Sequence, residues 1–165
     1  FKQKTAYEIM PSLVGSEMCI RDRVESENFF KGVFETSLLP GELLSSIDIP
    51  AIKMGESVAF EEFVRRHGDY ATLGLVARGR SEDGKVSGLK LVYFSVSDRP
   101  ISAWRTAQVL EGNQIDDQSL SANLDSALEE DLSDIVKDVH TSVEAKKHLS
   151  KEILGRVLKK LVTGA

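Results

Sequence analysis

Arg65-Arg66-His67-Gly68-Asp69-Tyr70 is the densest run of reactive side chains in the sequence. Two guanidinium groups, an imidazole, a carboxylate and a phenol surround one glycine. Gly68 permits a backbone with positive φ, so the run reads as a tight loop between two strands. A phenol at a loop tip offers a flat face to a planar ligand. The plainer reading is a solvated loop with Asp69 paired to Arg65 or Arg66, an interaction worth under about 1 kcal/mol. Spacing alone favours the plainer reading.

Other candidate chemistry is thinner. His67, His140 and His148 lack the i, i+4 spacing of a helical zinc pair, and no metal site is expected. No serine sits in a Gly-x-Ser-x-Gly elbow. Gly79 to Lys85 spells Gly-x-x-x-x-Gly-Lys, but Val86 stands where a phosphate-binding loop needs Ser or Thr. That run also reads as a hairpin and not as the entry to a helix. Asp98 is placed to cap a following helix, and Trp104 is expected in the core.

The loop needs a strand on each side. Val58, Phe60 and Val64 mark one strand, and Leu73–Ala77 a buried second. Asp83-Gly84 signals a hairpin turn back into a third strand, making 56–98 a three-stranded antiparallel meander. Upstream, Phe29, Phe30 and Phe34 read as apolar anchors, and Ile47 and Ile49 as a short strand ended by Pro50. Downstream, a helix is expected from near Pro100, with Ala103, Trp104, Ala107 and Leu110 on one face and Gly112 as its stop. Leu120, Leu124 and Leu128 mark a second helix. Val143, Leu149, Ile153, Leu154, Val157, Leu158 and Leu161 stripe a third, whose last turns carry Lys159 and Lys160 to suit the helix dipole. The acidic run "LEEDLSD" reads as a solvated helix end. Strands followed by helices predict an α+β fold: an antiparallel sheet of three to four strands with about three mostly C-terminal helices packed on it.

The 165 residues allow one domain, and 41% apolar residues allow one modest core. A net charge of −5 argues against broad nucleic-acid binding. No apolar run approaches the roughly 20 residues of a membrane helix.

Residues 2–23, "KQKTAYEIMPSLVGSEMCIRDR", fit neither a secretory signal nor a transit peptide, because Glu8, Pro11, Gly15 and Glu17 interrupt every apolar run. The stretch resembles a translated short-read sequencing adapter, with Ile9-Met10-Pro11 in place of the sample barcode. On that reading residues 1–23 are an artefact with no expected fold, and they contain Cys19, the sole cysteine. The remainder carries 17 basic and 23 acidic residues, net −6. The domain then occupies 24–165, and an upstream region is expected to be missing.

Four stretches in order, "FFKGVFETSLLPGELLSSIDIP", "AFEEFVRRHGDYATLGL", "VYFSVSDRPISAWRTAQVLEG" and "EAKKHLSKEILGRVLKKL", carry a family resemblance. Together they resemble the C-terminal domain of the FAD-binding medium subunit of molybdenum hydroxylases, the carbon monoxide and xanthine dehydrogenase relatives. The resemblance implies a cytoplasmic electron-transfer role. Electrons would pass from a molybdenum cofactor on a large subunit, through [2Fe–2S] clusters on a small subunit, to FAD and an acceptor. It implies no catalytic residue here. It places Leu44 and Tyr70 against FAD, with Asp69 and Glu61 beside it, and makes 62–72 a mobile segment. Glu61 departs from the lysine of animal xanthine dehydrogenases, so their acceptor preference does not carry over. No glycine-rich phosphate loop precedes Phe29, so FAD would be shared with a missing upstream domain and held weakly by this chain alone. The competing reading is a free-standing, non-catalytic interaction module sharing the fold.

Overall fold

The computed structural model describes residues 22–115 and 121–163. The adapter-like stretch lies almost entirely outside them, as does Leu120. A short helix α1 (Ser26–Phe29) leads into a two-stranded hairpin, β1 (Phe30–Gly32) and β2 (Glu35–Thr36). The main sheet has strand order β3 (Glu56–Val64), β4 (Ala71–Glu82), β5 (Lys85–Phe94) and β6 (Ile101–Ser102), all antiparallel. Helices α2 (Trp104–Leu110), α3 (Ser121–Asp131) and α4 (Val143–Thr163) follow. The α+β architecture is the expected one, with β6 added to the three-stranded meander.

The strands form because their side chains alternate between two faces. One face presents Ala59, Leu73, Leu75, Ala77, Leu91 and Tyr93, all buried, to the α4 stripe of Ile153, Leu154, Val157, Leu158 and Leu161. The hairpin between β4 and β5 turns at Asp83 (φ 49°) and Gly84 (φ 76°), successive left-handed residues that suit the strand twist. Ser142 Oγ accepts the Ala145 N–H at 3.2 Å and opens α4. Gly112, at φ 73°, closes α2 as expected.

Several expectations fail for physical reasons. Ile47 and Ile49 are exposed, and residues 37–55 contain no strand. Alternation does not make a strand without a neighbour to take its backbone hydrogen bonds. Phe30 and Phe34 are exposed instead of anchored, and Phe29 is half-buried. Among the described residues no second layer covers their two-stranded hairpin; it meets the main body where Gly32 comes up against Asp98. Trp104 is 52% exposed, with the Arg105 guanidinium over its ring at 4.4 Å. It lies outside the buried stripe of Ala103, Ala107 and Leu110. Asp98 does not cap α2, because β6 intervenes and moves the helix start to Trp104. Its carboxylate takes the Ser97 hydroxyl instead, at 3.2 Å. In the acidic run Glu129, Glu130 and Asp134 are solvated as expected, but Asp131 is buried, as are Leu128 and Leu132.

Candidate functional site

Strand β3 ends at Val64 and β4 begins at Ala71, so the reactive run is a six-residue connection at one end of the sheet. Residues 62–64 and 71–72 of the stretch 62–72 lie in β3 and β4, and Arg65–Tyr70 form the connection itself. Gly68 adopts φ 83° and faces open space. The Asp69 N–H donates to the Arg66 carbonyl at 3.0 Å, closing a turn. Asp69 Oδ1 accepts the Tyr70 N–H at 2.9 Å. Among the described residues no ion pair joins Asp69 to Arg65 or Arg66, contrary to the plainer expectation. The carboxylate is turned onto its own backbone, and the arginines stand exposed. The Tyr70 ring is 94% exposed.

Glu61 is three residues before the end of β3 and leans toward α4. Its carboxylate is engaged by the Lys160 ammonium, and Arg156 Nη1 stands 3.9 Å away. The Arg156 guanidinium also covers the Phe63 ring at 5.1 Å. Leu44 lies on the irregular stretch 37–55, half exposed and outside the buried cluster. The structure therefore groups Asp69 and Tyr70 in one loop, places Glu61 at its base, and leaves Leu44 on a separate segment. Sequence reasoning missed Arg156, because its partner Glu61 is distant in the chain and only the fold joins them.

A flavin would need a flat contact for its ring and a cradle for its diphosphate. Tyr70 offers an exposed aromatic face, and the space beside Gly68 is open, so a planar ring can approach. No glycine-rich cradle for a diphosphate accompanies it among the described residues. Two open hollows, about 350 and 300 Å³, lie between α2 and α3 and beside the Gly84 turn; no residue of the loop lines either. Among the described residues no His, Cys, Asp and Glu group forms a metal-binding cluster.

Residues 58–161 match the family described as the CO dehydrogenase flavoprotein C-terminal domain. The chain belongs to that family. The match runs from within β3 through most of α4, so it takes in the loop and the β3–α4 contacts at Glu61 and Phe63. The caffeine dehydrogenase subunit beta of Pseudomonas sp. (strain CBB1) is 30% identical over 80% of this chain and 44% of its own length. The carbon monoxide dehydrogenase medium chain of Afipia carboxidovorans is 31% identical over 59% of this chain and 34% of its own. A solved structure, reconstituted CO dehydrogenase from Oligotropha carboxidovorans, superposes with TM-score 0.72 at 25% identity. That likeness covers 81% of this chain and 46% of that one. This flavoprotein-family chain thus spans less than half the length of the relatives it matches. No helix among its described residues is long and apolar enough to cross a membrane.

Proposed function

We propose that the chain serves as the C-terminal domain of the FAD-containing medium subunit of a cytoplasmic molybdenum hydroxylase, with a molybdenum-binding large subunit and a [2Fe–2S] small subunit as partners. The family match over 58–161 carries the reading. When bound, FAD supplies the means to take up electrons from the iron–sulfur side and pass them to an acceptor. The chain's own residues shape access to it. Tyr70 presents its ring to one face of the flavin. Asp69 holds the Tyr70 backbone in place. Glu61 secures the strand that carries both. Leu44 contributes from the stretch before β3.

The exposed apolar side chains of that stretch support the same reading. Leu39, Leu43, Leu44, Ile47, Ile49, Ile52 and Met54 are all exposed within 16 residues. Such a concentration marks a surface that another body covers, here assigned to the upstream half of a full-length subunit.

The test uses the assembled enzyme containing the full-length subunit. Tyr70→Ala is expected to slow flavin reduction or reoxidation by up to about 100-fold, the loss that a misplacement of about 1 Å can bring, while reduction of the molybdenum site by substrate keeps its rate. Wild-type rates in both half-reactions would remove Tyr70 from the proposal. The chain as it stands should take up FAD weakly on titration. Stoichiometric uptake with a shifted visible spectrum would show that no further domain is needed.

A further inference from the structure

We infer that Arg156 and Lys160, one turn apart on α4, position the Arg65–Tyr70 loop. The reason lies in how the loop is hung. Among the described residues β3 is an edge strand, hydrogen-bonded to β4 alone. Its pairing with β4 runs regularly from Glu56↔Arg80 to Phe63↔Leu73, then slips: Val64 pairs Ala71, and Thr72 is left over. The ladder is thus interrupted immediately before the loop, where an edge strand frays most readily. Among the described residues, the loop's hydrogen bonds run between near neighbours, Asp69 to Arg66 and Tyr70 to Asp69.

Side chains supply what the ladder lacks. The last two β3 residues facing the helix layer before the slip are Glu61 and Phe63. Lys160 takes the Glu61 carboxylate, which is 21% exposed. Arg156 reaches both residues, approaching Glu61 at 3.9 Å and covering the Phe63 ring at 5.1 Å. Phe63 in turn packs against the buried cluster. The two cations close an edge-strand end that backbone hydrogen bonding leaves loose. Neither touches the loop, so both are positioning residues. A consequence for electron transfer rests on the proposed flavin role of Tyr70; the positioning itself does not.

Amide hydrogen exchange on this chain tests it without flavin. Arg156→Leu and Lys160→Met should each speed exchange across residues 63–72 by about two- to fivefold, the range for partly exposed charge pairs, and together by more. Exchange at Leu75–Ala77 and Leu91–Tyr93 should stay at wild-type rates. Arg156→Lys, which keeps a cation near Glu61 and Phe63, should recover part of the loss. Unchanged exchange across 63–72 in the double variant would overturn the inference. So would an equal rise in the sheet centre, which would mark a general loss of stability. Because no cofactor enters the measurement, its failure is distinct from failure of the flavin assignment.

Discussion

The Asp131 carboxylate, in the last turn of α3, accepts both the backbone N–H and the hydroxyl of Thr106 in the first turn of α2, each at 2.8 Å. It also accepts the Arg105 N–H at 3.3 Å. Helix α2 has no capping side chain at Ala103, so its free N–H groups are satisfied from another helix. Both partners are buried, which makes this a tertiary cap.

Removing that cap should be costly. Asp131→Ala leaves buried donors unpaired and is expected to destabilise by about 2–4 kcal/mol. Asp131→Asn keeps an acceptor and should lose about half as much. Urea unfolding midpoints measure both; an alanine variant within about 0.5 kcal/mol of wild type would contradict the cap's importance.

Tyr93 should make the domain sensitive to alkali. Its phenol is buried and donates to the Ser150 carbonyl at 3.0 Å. Burial, then the Asp131 charge, pushes its pKa well above the ordinary 10. The neutral form is therefore favoured in the fold, and its stability contribution is complete below about pH 10. Above that pH the unfolded chain loses the proton first and unfolding becomes easier. Tyr93→Phe should cost about 1 kcal/mol at neutral pH and show a shallower decline above pH 10. Parallel declines would refute the assignment.

Asp138 should act at the acid end. The His140 N–H, the Lys146 ammonium and the Thr141 N–H hold its carboxyl below the usual 3.8. Lys146 is buried and donates to the Ser95 carbonyl as well, at 3.0 Å, so the group ties the end of β5 to the start of α4. A depressed carboxyl stabilises above its unfolded pKa and loses that contribution as pH falls through the folded value. Asp138→Asn should therefore be less stable than wild type at pH 7, with the difference shrinking below about pH 4. A difference independent of pH would exclude the ionised carboxylate as the cause.

Gly74 should resist even a methyl group. The far end of the Phe94 ring occupies the place where an alanine Cβ would sit, and the ring stacks at 5.9 Å and 3° with Phe60. Gly74→Ala is expected to cost about 1–3 kcal/mol by overpacking, despite the ordinary strand preference for Ala over Gly. With Phe94→Ala as background, the same change should be close to neutral. Equal costs in both backgrounds would show that the ring is not the obstacle.

The loop was legible because Gly68 and its polar neighbours interrupt two apolar alternations, and that pattern is local. The same holds for the Asp83-Gly84 turn and for the α4 stripe. Where an expectation needed a distant partner it failed: Ile47 and Ile49 alternate correctly yet pair with no strand among the described residues, and Asp98 lost its helix to an intervening strand. Asp131 read as one more solvated acid because its two partners lie some 25 residues earlier.

Composition and periodicity by themselves determined the α+β order of strands then helices, the place of the reactive loop, and the apolar faces that meet in the core. These are set by side-chain spacing against a period of two or 3.6 residues, which needs no knowledge of neighbours. Only the tertiary structure decided which charges are used. It carried Arg156 and Lys160 to Glu61, Asp131 to Thr106, and Lys146 to Ser95. An ion pair or a cap depends on distance in space, and the fold alone brings residues far apart in the chain within hydrogen-bond reach.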